Sequence, residues 1–318
     1  MTSIAADDEV VRESRRILST HSRSFDWAAR FLPPERRDAA AVVYAFCRTV
    51  DDVADEAVDA ETAGERLTRI EAELVGKKDE RPLVQGFRRV CRRRSIDLAY
   101  PRELIRGVES DLGPVRIASD RELLRYCYRV AGTVGLMMAP LLGVSDQRAL
   151  PHAIDLGIAM QLTNICRDVL EDAENGRVYL PRERLDAVGS SQSAILDGRA
   201  DRDAVASVVG DILELAEPYY ESGQRGMRYI PRRSRLAIMV ASRVYRAIGL
   251  KLRDNGCDAL AGRTIVGPLG KLRRVLRATL RFFNPFARSD RGRHEHRLHR
   301  PLAGLPGAND DLAELGAA

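Results

Sequence analysis

Apolar positions recur along this chain with the three-to-four-residue spacing of helices, and no alternating strand pattern persists anywhere. Residues 7–30 place Val10, Val11, Ile17 and Leu18 on one face. Pro33-Pro34 interrupts the chain, and the second proline, followed by Glu35, fits the first turn of a new helix that runs through CRTVDDVADE. Further helices are predicted over 60–77, 81–97, 101–110, 119–143 (interrupted or ended near Pro140), 146–173, 201–228 and 232–254, with NGRVYLP as a loop. No solenoid repeat is present and no linker rich in Gly, Ser or Pro precedes about residue 284. The pattern predicts one all-helical domain over 1–284. Residues 285–318 have little apolar periodicity and are expected to form a basic, mobile tail.

Two segments break the rule that apolar helices keep their charges outside. CRTVDDVADE, residues 47–56, carries Asp51, Asp52 and Asp55 among Ala45, Phe46, Val50, Val53 and Ala54. Asp51 and Asp55 lie about 40° apart on a helix, with Arg48 and Tyr44 on the same side. AMQLTNICRDVLED, residues 159–172, repeats the arrangement: Gln161, Asn164, Asp168 and Asp172 fall within about 80°, and apolar residues cover most of the remainder. A surface helix has a broad polar face; this narrow stripe predicts a helix facing an internal cavity. Two carboxylate pairs on buried helices repel unless cations lie between them. Hard oxygen donors without His or Cys suit Mg²⁺ or Mn²⁺, and Mg²⁺ shares its coordination with substrate phosphates. The aspartates are therefore read as half of a site whose other half is a diphosphate. Arg23, Arg48 and Arg167 are candidate donors to it, although each is also an ordinary helix-surface arginine by position.

The longest apolar run, VAGTVGLMMAPLLGV at 130–144, is too short and too broken by Pro and Gly to span a membrane, and reads as a buried helix suited to the wall of a cavity. Its glycines, Gly132, Gly135 and Gly143, permit either close backbone approach or room for a ligand chain. The acidic, polar N-terminus has none of the regions of a signal peptide, and five scattered cysteines without a CxxC pair are expected to be reduced thiols of a cytoplasmic protein. The net charge of +5 is a weak guide, but its distribution is uneven: residues 271–300 hold ten Lys/Arg and three of the five His. Within this end, LGKLRRVLRATLRFF, residues 269–283, aligns Leu269, Leu272, Leu276, Leu280 and Phe283 on one face, with arginines on the others. It reads either as a helix packed on the domain or as a basic amphipathic helix for peripheral contact with an anionic inner-membrane surface. No motif supports nucleic-acid binding.

HSRSF, YAFCRTVDDVADE, YCYRVAGTVG and QLTNICRDVLEDAENGRVYLP, in this order, resemble the motifs of the head-to-head prenyl synthases, the squalene/phytoene synthase family, from about residue 13 to 280. The resemblance implies a single-domain isoprenoid synthase fold with a central cavity. It implies that Asp51, Asp55, Asp168 and Asp172, with Asn164, hold Mg²⁺ (or Mn²⁺), and that Arg48 and Tyr126 belong with the aspartates to the catalytic set. It places Ser22, Arg23, Ser24, Phe25, Arg48, Gln161, Asn164, Arg167, Tyr179, Tyr245 and Arg263 around the substrate. The implied reaction is the joining of two prenyl diphosphates through a cyclopropyl diphosphate. YCYRVAGTVGLMM and NGRVYLP are most similar to bacterial phytoene synthases, which condense two geranylgeranyl diphosphates in carotenoid biosynthesis. No nucleotide-binding signature such as GxGxxG is present, so NADPH is not expected. The alternatives are a squalene-type, dehydrosqualene or presqualene diphosphate synthase using farnesyl diphosphate, and a non-catalytic helical scaffold that kept the fold. Ile117, where many relatives have an aromatic residue, leaves the cavity floor and hence chain length open.

Overall fold

The computed structural model describes residues 2–21, 26, 29–30, 32–56, 59–77, 81–262 and 293–308. Helices dominate, and the one β-type contact among the described residues is a single parallel bridge, Arg116 to Val178. In chain order the helices are α1 (Thr2–His21), α2 (Pro34–Glu56), α3 (Ala60–Leu74), α4 (Pro82–Arg94), α5 (Ala99–Glu109) and α6 (Asp120–Cys127). A π-helical turn, Tyr128–Gly132, joins α6 to α7 (Thr133–Leu142). Then follow α8 (Leu150–Glu174), the short α9 (Arg182–Ala187) and α10 (Gln192–Leu196), α11 (Arg202–Gly226) and α12 (Arg232–Asp254).

Local chemistry sets several of these boundaries. Asp59 caps α3 by accepting from the Thr62 amide at 2.7 Å. Ser119 accepts from the Glu122 amide, and the Glu122 carboxylate reaches back to the Ala118 amide at 2.7 Å, so S-x-x-E closes the start of α6. The helix expected to be interrupted or ended near Pro140 ends two residues beyond it, at Leu142. Pro140 lies within α7, which is capped by Gly143 in the left-handed region, φ 91°.

Two buried apolar clusters meet in the middle of the molecule. One is built on α8 and α11, including Ile158, Leu162, Val208 and Ile212. The other joins α2 to α3, α4, α5 and α7 through Phe46, Val50, Leu67, Phe87 and Met137. Burial on this scale, at about 25 cal/mol per Å² of apolar surface, is the main stabilising term for the bundle. Where the clusters meet, an apolar cavity of about 340 Å³ remains, walled by α2, the π turn, α7, α8, the end of α11 and α12.

The helix predicted over 7–30 starts earlier, at Thr2, and is described as far as His21; residues 22–25, 27–28 and 31 lie outside the described residues. Other expectations are corrected. The helix predicted over 119–143 contains the π turn, and α9 and α10 have no counterpart in the sequence reading. The tail expected to be mobile from 285 is, over residues 293–308, part of the domain. Leu298, Leu302, Leu305 and Ala308 are buried in the α8–α11 cluster. The hydroxyl of Tyr219 donates to the Leu298 carbonyl at 2.9 Å, Tyr128 to that of Pro306, and Arg125 to that of Ala303 at 3.0 Å. Composition hid this because a non-helical segment shows no periodicity while burying its few leucines. The basic segment 269–283 lies outside the described residues.

Candidate active site

The two aspartate pairs stand on α2 and α8, and the loop after α8 ties them together. Arg177 donates to Asp55 at 3.3 Å and to the Ala54 carbonyl at 3.3 Å, and its charge also acts on Asp172 and Asp111. The loop is held because the Val178 amide donates to the Val115 carbonyl, which brings 177–180 beside 115–118. Arg48 pairs with Asp52 one turn on, at 2.5 Å, leaving Asp51 toward the cavity. Arg167 forms a two-pronged pair with the neighbouring Asp168, Nε to Oδ1 at 2.8 Å.

Among the described residues, carboxylates at the site outnumber cations: Asp51, Asp52, Asp55, Asp111, Asp168 and Asp172 face the guanidiniums of Arg48, Arg167 and Arg177. Burial pushes Asp51 up to about 7, opposed by Arg48 and reinforced by Asp55, Asp111 and Asp52. Burial likewise raises Asp172 to about 7, with Asp168 adding to the effect and Arg177 opposing it. The Asn164 Oδ1 atom is buried without a hydrogen-bond partner. An excess of close carboxylates beside an unsatisfied amide oxygen, all hard oxygen donors, fits divalent cations of the Mg²⁺ type.

Sequence reasoning missed two members of this site. Asp111, between α5 and α6, is buried and accepts from the Tyr126 hydroxyl at 3.0 Å and from that of Tyr179 at 2.8 Å. Burial raises it to about 6 against the help of those two bonds and of Arg177. The two tyrosine rings stack with centroids 4.8 Å apart. Asp111 follows an unremarkable Glu-Ser pair in sequence, so nothing local marks it. Arg177 lies in NGRVYLP, which the sequence reading takes as a loop and a family motif without singling out its arginine.

The other sequence candidates are placed as follows. Gln161 and Asn164 line the cavity with Arg48 and Asp51, and Tyr245 reaches it from α12. Arg167 senses the Tyr245 hydroxyl. Tyr126 and Tyr179 are buried, but they face Asp111 and do not line the cavity. Ser22, Arg23, Ser24, Phe25 and Arg263 lie outside the described residues. Ile117 lines a separate surface hollow beside Tyr126, so the cavity floor is not its work. The wall instead comes from Val130, Val134, Met138 and Leu142 of the apolar run, with Leu156 and Met160 of α8.

An apolar pocket whose lining also takes in Arg48, Asp51, Gln161 and Asn164 is suited to a long hydrocarbon carrying a diphosphate. Residues 18–278 match the profile of the squalene/phytoene synthase family. The chain belongs to that family. Over 276 residues it is 38% identical to the 15-cis-phytoene synthase of a Paracoccus species, covering 83% of this chain and 89% of that one. It is 40% identical over 252 residues to the phytoene synthase of Thermus thermophilus, covering 78% and 85%. Among solved structures, a dehydrosqualene synthase in complex with ligand superposes with a TM-score of 0.75 at 26% identity, covering 86% of this chain and 96% of that one. The fold is accordingly the all-α isoprenoid synthase fold. The family is one of prenyltransferases that generally use a divalent metal.

Proposed function

We propose that the protein is a Mg²⁺-dependent prenyltransferase that condenses two geranylgeranyl diphosphates head to head into phytoene. The observation that carries this reading is an apolar cavity whose lining takes in Arg48, Asp51 and Asn164 from the two helices that carry the aspartate pairs, in a chain most of whose length aligns with phytoene synthases. Asp51, Asp55, Asp168, Asp172 and Asn164 would hold the metal. When bound, Mg²⁺ supplies positive charge that stabilises the departing diphosphate.

The chain's own residues do the rest. Arg48, Arg167 and Arg177 bring fixed positive charge beside the aspartates, where the diphosphates would bind. Departure of one diphosphate leaves an allylic cation. The C2–C3 double bond of the second substrate attacks it and loses a proton, giving a cyclopropyl diphosphate. A second ionisation, rearrangement and proton loss join the two C1 carbons. Water would quench either cation, and the wall of Val130, Val134, Met138 and Leu142 excludes it. Tyr126 and Tyr179, clamped by Asp111, form a rigid polar edge near the aspartates.

Purified protein incubated with Mg²⁺ and geranylgeranyl diphosphate, without NADPH, should release a C40 hydrocarbon into hexane. Product only from farnesyl diphosphate would move the chain to the C30 branch represented by the dehydrosqualene synthase neighbour. Asp51→Asn combined with Asp168→Asn should abolish turnover; full activity in that variant would overturn the metal-site assignment. No product from either substrate, with or without lipid and NADPH, would favour a scaffold role. Contact of segment 269–283 with an anionic membrane is part of the same reading, because a C40 product must enter a bilayer. No helix among the described residues is long and apolar enough to cross a membrane.

A further inference from the structure

A second polar cluster lies inside the molecule, away from the aspartate pairs. Asp155, in the first half of α8, is fully buried. Thirteen residues, or roughly 20 Å of helix, separate it from Asp168. Its two carboxylate oxygens receive His294 Nε2 at 2.8 Å and His299 Nε2 at 2.9 Å, both from the C-terminal segment. The Ser222 hydroxyl of α11 donates to the same carboxylate and meets His152 Nδ1 at 2.8 Å. Both C-terminal imidazoles are almost wholly buried, with side-chain exposures of 9% for His294 and 4% for His299.

We propose that Asp155, His294 and His299 form a structural site for a zinc-class divalent ion, which fastens the C-terminal segment to α8. One ligand atom from each of the three residues lies within 4.8 Å of the others. Tetrahedral zinc with bonds of about 2.0–2.1 Å needs neighbouring ligand atoms about 3.3 Å apart. Each imidazole meets a different oxygen of Asp155, so an ion bound to one oxygen opens that contact by a few tenths of an ångström and draws the other imidazole across to it, from within 4.8 Å. Ser222 Oγ borders the fourth position and would hold a water there, with His152 behind it as its hydrogen-bond partner.

Donor chemistry and chain economy both favour an ion. Three histidine rings crowd the same space, with His294 centroids 4.4 Å from His299 and 5.3 Å from His152. A divalent ion would bind His294 and His299 through neutral ring nitrogens. Residues 293–308 contain no regular element beyond the 3₁₀ turn His296–Leu302. A segment so poor in its own structure gains most from a cross-link. The donor set differs from that of the aspartate site: two imidazoles and one carboxylate select zinc over Mg²⁺.

The test is metal binding by the full chain after treatment with EDTA and dialysis. Zinc should bind at one ion per chain and raise Tm by about 5 °C or more. Co²⁺ should give the intense visible absorption of a four-coordinate N/O site. The Asp51→Asn/Asp168→Asn protein should retain both properties, which separates this ion from the catalytic metal. His299→Gln should weaken zinc binding at least 100-fold. His294→Gln, at the edge of the cluster, provides the same reading should His299→Gln fail to fold, with far-UV circular dichroism as the control. Zinc or cobalt that fails to bind, binds unchanged to both histidine variants, or is lost in the aspartate variant would overturn the proposal and leave a hydrogen-bonded clasp.

Discussion

Asp111 binds no cation in the reading above, yet it fixes two tyrosines beside the carboxylates that do. Its folded-state value of about 6 lies above the ordinary carboxylate range because burial disfavours its charge. The native state thus holds a proton that the unfolded chain has already released, and stability falls as pH rises from about 4 to about 6. At about 1.4 kcal/mol per pKa unit, this one group accounts for on the order of 2–3 kcal/mol. Asp111→Asn should therefore flatten the decline of Tm with pH in EDTA, although Asp51 and Asp172 keep a slope of the same sign. With saturating Mg²⁺ the same variant should lose about tenfold or more in kcat, because one tyrosine hydroxyl loses its acceptor. An unchanged Tm profile would mean that Asp111 is already ionised in the metal-free fold.

At the scale of elements, the cavity wall depends on how closely two helices approach. A Cβ on Gly135 of α7 would stand 2.4 Å from the Ala153 carbonyl oxygen of α8, and one on Gly157 would stand 2.4 Å from that of Ala131. These are backbone atoms and cannot swing aside. The glycines of the apolar run thus serve helix contact at Gly135 and a left-handed helix end at Gly143. Gly135→Ala should lower stability by about 1–3 kcal/mol, seen as a shift in the urea midpoint. Because α7 and α8 both line the cavity, product yield should fall as well. A midpoint within error of the parent would show that the two helices part without penalty. The polar stripe of α8 was legible because its period contradicts the burial of the helix. The approach of α7 was not, since no local pattern says which carbonyl a glycine will meet.

For the whole molecule, the C-terminal segment changes what counts as the domain. Leu302 is fully buried against the α8–α11 cluster, and the Arg125, Tyr128 and Tyr219 side chains each donate to backbone carbonyls of 298–306. Leu302→Ala should cost about 2–5 kcal/mol, the range for truncating a buried leucine. It should also make the C-terminus sensitive to limited proteolysis before the core unfolds. Equal resistance in parent and variant would indicate that the segment docks independently of that leucine.

The sequence by itself determined the long helices, the absence of a strand pattern and the two aspartate pairs, since each follows from spacing along one element. It also placed Gln161 and Asn164 on the same stripe as Asp168 and Asp172. The tertiary structure alone decided which residues answer those charges. Asp111 and Arg177 join the site only because the 115–118 and 177–180 segments lie side by side. It alone brought His294 and His299 to Asp155, more than a hundred residues away in the chain. Periodicity records how a helix meets its surroundings; it carries no record of which distant side chain completes a buried charge.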